Sequence, residues 1–259
     1  MKSPIINPIR FYNPLNTPDY LTKFPNIDNI YNGAGWVYGI NFCPNYARFH
    51  TGRINLQFSV GMGESLDFEL YKLIDNEWVL SDTITATDIT PIGWIGDAII
   101  LLNVNIADGT YFLNAPNLLR SDIFVITTDA RTLKDFVKIY YRNSENDFGC
   151  IFGSNSFTSY FMGSLLPGTS TLDIESYEDD RGEPVKLKAT PQRTATLNLK
   201  GVHYTYADYF VHLFSCDDIT INGVDYENTE APAFDPIQGS DLGSISIKLI
   251  QKSNDYYNG

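Results

Sequence analysis

Short runs of strict apolar–polar alternation, separated by turn formers, constrain this chain more than any other feature of its sequence. Ile54, Leu56, Phe58 and Val60 alternate with polar residues, and Leu66, Phe68, Leu70 and Leu73 do so with one slip at the end. Side chains two apart share a face of a strand, so such runs suit half-buried strands. Gly61 and Gly63 mark the turn between these two runs, residues 78–84, 98–104, 111–113 and 123–126 add further strands, and Asp108-Gly109 is expected as a hairpin loop. The strands do not alternate with long helical patterns, which argues against a parallel βαβ sheet and for a sandwich.

The series resumes after a polar connector at 127–134. Residues 136–141, 149–152, 157–162, 172–177, 185–189 and 195–199 read as strands by alternation or β-propensity, and Ile245, Ile247 and Leu249 form a terminal one. One helix is expected over 205–216. Thr205 is placed to cap its first turn, with Asp208 three residues on, and Tyr206, Phe210, Leu213 and Phe214 recur at helical spacing. Asp217 and Asp218 break that period. A hairpin over 218–226 follows, because Asn222-Gly223 suits a type I′ turn, which needs positive φ at both central residues. The expected architecture is all-β: an extended arm over 1–34, a first β-sandwich domain over 35–127, and a second over 128–259 that carries the helix and the hairpin.

In the arm, Pro4, Pro8, Pro14, Pro18 and Pro25 forbid helix and central strand. Phe11, Tyr12, Tyr20, Phe24 and Tyr31 are too many large rings for a disordered tail, so they are interface candidates, as are Tyr256 and Tyr257 at the other end. The arm docks on its own domain or on a neighbouring subunit, and the sequence leaves both open. Acids outnumber bases 31 to 18 without a basic run, which argues against nucleic acid as a partner. No apolar run approaches the roughly 18 residues that cross a bilayer, and the first residues lack an apolar signal region. A soluble chain made in a cytosol is expected. Cys43, Cys150 and Cys216 are odd in number and far apart, so buried free thiols are expected rather than a disulfide framework or a zinc site.

Asp208, His212 and Cys216 are spaced four apart and line one helix face, which on paper sets an acid, a base and a thiol in a row. Cys216 falls near the helix C-terminus, where the dipole opposes a thiolate, so the stripe is expected to be inert. Glu178, Asp179, Asp180 and Glu183 surround Arg181-Gly182 without the spacing of a calcium loop, and read as a solvated acidic turn. No GxSxG elbow, phosphate loop or HExxH occurs. No catalytic residue, metal site or cofactor is expected.

The progression ADGTYFL, SDIFVI, VKIYYRNSENDFGCIF, RGEPVKLKATPQRTATLNL and SCDDITINGVDYEN spans about residues 105–252. It resembles virion proteins of bacteriophages infecting Bacteroidetes, and is most similar to those of crAss-like phages, whose short tails carry a hub of small β-rich proteins. The resemblance implies a structural tail hub or baseplate-type connector, not an enzyme, that acts by symmetric subunit assembly. Its partners would be other virion proteins and copies of itself, and its place the virion tail, assembled in the bacterial cytoplasm. A glycan- or receptor-binding module, with a host surface glycan as ligand, is the alternative reading. A head-associated or fibre-attachment role is the third.

Overall fold

A computed structural model describes residues 11–12, 48–49, 53–61, 67–85, 88–92, 97–116, 119–121, 123–129, 131, 133–144, 156–239 and 242–252. The fold is all-β with one short helix, as the alternating runs require. The first half contributes β1 (Phe11–Tyr12), β2 (Arg48–Phe49), β3 (Arg53–Gly61), β4 (Asp67–Ile74), β5 (Glu77–Thr85), β6 (Asp88–Ile92), β7 (Asp97–Asn105), β8 (Gly109–Ala115), β9 (Leu119–Ser121) and β10 (Phe124–Ile126). Strands β3, β7 and β6 form a small antiparallel sheet. Pro91 lies on β6, at its edge, where a missing N–H disturbs the ladder least. The other strands run β1-β9-β8-β10-β2, with the β4–β5 hairpin attached to β8. Their register sets Leu70 opposite Leu113 and Tyr111 opposite Phe124, and these four are buried together with Phe68 and Ile126.

Two expectations are corrected here. Asp108-Gly109 is not a hairpin loop, because β7 and β8 belong to different sheets. The Asp108 carboxylate instead accepts hydrogen bonds from the Thr128 backbone N–H and hydroxyl, each 2.9 Å. Gly109 lies so close to Lys72 and Tyr111 that a Cβ would come within 2.8 and 2.9 Å of them. A tight turn of this half is Asp75-Asn76, with φ of 50° and 68°, joining β4 to β5. Asp and Asn are the non-glycine residues that best tolerate this left-handed backbone, a signal the alternation reading passed over.

The second half contributes β11 (Phe136–Arg142), β12 (Phe157–Glu178), β13 (Pro184–His203), a 3-10 turn at Tyr204–Tyr206, α1 (Ala207–Leu213), β14 (Asp218–Ile221), β15 (Val224–Asn228), β16 (Ala233–Pro236) and β17 (Leu242–Gln251). The ladder runs β12-β11-β14-β15-β17-β13, and β13 pairs back with β12. Six antiparallel strands therefore close on themselves, which removes sheet edges within the ring. Strand β2 joins the two halves, pairing with β10 on one side and, through Arg48, with Tyr160 of β12 on the other.

The inward residues Ile139, Tyr141, Phe161, Leu197, Ile221 and Ile247 meet at one core, which α1 seals with Tyr209, Phe210, Leu213 and, just beyond its end, Phe214. Inside it the Tyr141 and Tyr209 hydroxyls lie 3.0 Å apart beside the fully buried Ser159, and burial pushes the Tyr209 phenol far above its usual range. The helix is shorter than the expected 205–216. Tyr206 occupies its N-cap with no side-chain cap bond, so Thr205 does not cap it. At the far end Ser215 and Cys216 return their N–H groups to His212 and Leu213 carbonyls three residues back, and this tighter bonding ends the helix. The Asn222-Gly223 turn is as expected, with φ of 51° and 86° between β14 and β15.

The arm is described at Phe11–Tyr12, which pairs antiparallel with β9 of the same chain, Phe11 opposite Ser121 and Tyr12 opposite Arg120. Tyr20, Phe24, Tyr31, Tyr256, Tyr257, Cys43, Cys150 and the strand expected at 149–152 lie outside the described residues.

Candidate interaction surface

Strands β12 and β13 are 22 and 20 residues long, far longer than the other strands of the ring. The sequence reads each of them as two strands, 157–162 with 172–177 and 185–189 with 195–199, and Pro167-Gly168 falls in the gap of the first. The structure absorbs the break in a bulge. Pro167 pairs with Ala195 and Ser170 with Arg193, so Gly168 and Thr169 together oppose Thr194. The Thr194 hydroxyl donates to the Thr169 carbonyl across the bulge at 2.8 Å, and approaches Gly168 so closely that a Cβ there would collide with it. Glycine is needed at that position for this reason.

The bulge marks where the ribbon leaves the ring. Pairing of β13 with β17 begins at Thr194, and pairing of β12 with β11 stops at Met162. Beyond it, among the described residues, Ser170–Glu178 and Pro184–Arg193 pair only with each other. Nine residues at roughly 3.3 Å each carry this two-stranded ribbon about 30 Å outward. A second bulge leaves Leu187 without an opposite residue, and its side chain is 64% exposed. Ile174 is 51% exposed and Tyr177 50%. The tip is a closed turn in which Asp179 Oδ1 accepts the backbone N–H groups of Arg181 and Glu183, both at 2.9 Å, and Gly182 takes φ of 75°. That carboxylate is occupied in shaping the turn, and Glu178, Asp180 and Glu183 are exposed around it.

Along α1, His212 and Cys216 of the helix stripe bond to backbone carbonyls. Asp208 is exposed, His212 half-buried and Cys216 buried. His212 Nδ1 bonds the Asp208 backbone carbonyl at 2.6 Å, which as a carbonyl only accepts, and Cys216 Sγ donates to the His212 carbonyl at 3.7 Å. Among the described residues no group of three or more His, Cys, Asp and Glu side chains is placed to hold a metal.

One aromatic cluster lies on the face of β4, β5 and β8 away from the core. Tyr71 stacks on Phe112 at 4.7 Å with an interplanar angle of 2°, Trp78 meets Phe112 edge-on at 4.8 Å, and the Arg120 guanidinium lies 5.0 Å from the same ring. Glu69 accepts bonds from Tyr71 and Asn114 there.

No known protein family matches the sequence, and no curated protein is similar to it. Among the described residues no helix is long and apolar enough to cross a membrane.

Proposed function

We propose that this chain is a structural component of a phage virion, a tail hub or baseplate-type connector without catalytic activity, and that the β12–β13 ribbon is the joint through which it is assembled. The ribbon is the observation that supports this reading. A two-stranded hairpin is marginal in water by itself, and here it carries half-exposed Ile174 and Tyr177 and a bulged Leu187 on strands whose outer edges are unpaired among the described residues. An element of about 30 Å with two faces and two edges offers on the order of 800 Å² to a partner, the share each side contributes to a stable interface. The strand-and-turn resemblance to phage tail proteins supports the setting, and copies of the chain and other virion proteins are its partners.

A photo-cross-linking residue at position 177 tests the reading in purified particles. The expected product is an adduct between this chain and a virion protein, and it is lost when Leu187 is replaced by Asp. Particles that contain no copy of the chain, or that give no adduct from position 177, contradict the assignment.

A further inference from the structure

Asn222-Gly223 is a chemically reactive pair as well as a tight turn. An asparagine followed by glycine carries its own electrophile and nucleophile: the Gly223 backbone nitrogen can attack Asn222 Cγ, and glycine has no Cβ to hinder the approach. The Gly223 N–H proton goes to solvent base, the new Cγ–N bond closes a succinimide, and the side-chain nitrogen leaves as ammonia. Water then opens the ring at either carbonyl, giving aspartate or isoaspartate. Both residues are exposed, and nothing lies within 4 Å of a Cβ built on Gly223, so water and base reach the pair.

The fold opposes the first step in two ways. Ring closure needs the Asn222 Cβ and the Gly223 nitrogen on the same side of the Asn222 Cα–C bond. The φ values of 51° and 86° are those of a type I′ turn, whose first central residue has ψ of about +30° and so sets these two atoms nearly opposite each other. The paired strands hold that geometry, with Ile221 opposite both Val224 and Ile139. The second restraint is on the side chain. Asn222 continues the β11–β14 ladder one residue past Ile221: its N–H donates to the Lys138 carbonyl and its Oδ1 accepts the Lys138 N–H, both at 2.9 Å. The amide thus stands in for a main-chain carbonyl, and Cγ stays directed at β11 while that bond holds.

The two products differ in what they can rebuild. The carboxylate of aspartate still offers Oδ1 to Lys138, and aspartate tolerates positive φ as asparagine does. In isoaspartate the main chain runs through the side-chain carbon, so the turn gains one main-chain atom and loses the two-residue geometry of a type I′ hairpin.

We propose that Asn222 is a modification site gated by the fold: protected in the closed hairpin, it loses its amide when the hairpin opens, and the isoaspartyl form does not close the turn again. Opening of this half of the molecule is thereby recorded covalently.

The full chain, held in mildly alkaline buffer with and without guanidinium chloride and then mapped by mass spectrometry, tests this, with isoaspartate at the turn read by enzymatic methyl transfer to the peptide. Asn32-Gly33 and Asn258-Gly259 are the same pair elsewhere in the sequence and calibrate the rate in denaturant. Loss of the Asn222 amide is expected to match them in denaturant and to be at least about a hundredfold slower in buffer. Equal rates in the two conditions, or no reaction at Asn222 in denaturant, overturn the proposal. The variant Asn222→Asp is expected to keep the urea midpoint of the parent, whereas the isoaspartyl species, separated from the denatured reaction and refolded, falls below it. An isoaspartyl species with the parent midpoint, or an Asn222→Asp variant as unstable as that species, overturns the assignment of the damage to the altered main chain.

Discussion

Asn222 and Gly223 show how much a single turn fixes. The Asn222 backbone N–H donates to the Lys138 carbonyl and its side-chain Oδ1 accepts the Lys138 N–H, both at 2.9 Å, so the turn is tied to β11 as well as to its own hairpin. Nothing lies within 4 Å of a Cβ built on Gly223, so substitution there meets only the φ of 86°. Gly223→Val is expected to cost about 1–3 kcal/mol through backbone strain, read as a lower urea midpoint with an unchanged slope. Asp217 ties the end of β11 to the helix–hairpin junction. It accepts the Ser144 hydroxyl and backbone N–H, the latter at 3.0 Å, and these bonds, the hydroxyl foremost, hold its carboxyl below the usual 3.8. A carboxyl lowered on folding stabilises the fold fully above its unfolded value and loses that contribution as pH falls through the folded one. Urea midpoints of the parent should therefore fall between pH 5 and pH 3 by more than those of Asp217→Asn. Cys216 is buried under α1, and a thiol reagent at neutral pH should modify it slowly in folded protein and rapidly in urea.

At the scale of elements, alternation made most strands legible, and the buried face of α1 followed from the spacing of Tyr206, Phe210, Leu213 and Phe214. What alternation does not encode is continuity and partner. Pro167-Gly168 has the composition of a break, yet a bulge carries β12 through it, because Thr194 alone faces both Gly168 and Thr169 and the missing Cβ of Gly168 lets the extra residue fit. The helix ends one turn early because bonds to carbonyls three residues back compete with the helical pattern, and side-chain periodicity is blind to that. Asp108-Gly109 joins two sheets, which a local signal for a turn does not distinguish from joining two paired strands. The ribbon's strands alternate like the others, as Val185-Lys186-Leu187-Lys188-Ala189 does, so the sequence carries no sign that they stand apart from the ring. Since the core of the ring, among the described residues, takes no side chain from beyond the bulge, replacing residues 170–193 by Asn-Gly should leave the unfolding free energy within about 0.5 kcal/mol of the parent. A larger loss means that the ribbon contributes to the fold that carries it.

Among the described residues, the molecule combines a closed ring, whose edges are satisfied within it, with an element whose outer edges are not paired. In the ribbon, exposed apolar side chains coincide with strand edges that are unpaired among the described residues, as they also do on β5 of the β4–β5 hairpin, where Val79 and Leu80 are exposed. Function on this account lies in what the ribbon joins. The candidate rings of the arm illustrate the limit of the sequence at this scale: Phe11–Tyr12 pairs with β9 through backbone groups, and composition does not specify which edge an extended segment chooses. Backbone amide hydrogen exchange in the isolated chain and in the assembled particle compares the two states directly. The amides of Ser170–Glu178 should exchange rapidly in the isolated chain, while those of β11, β14 and β17 are protected, and should become protected on assembly by at least a hundredfold, as newly paired strand edges are. Exchange at Ser170–Glu178 that is equally fast in the assembled particle would contradict the claim that this ribbon is the joint.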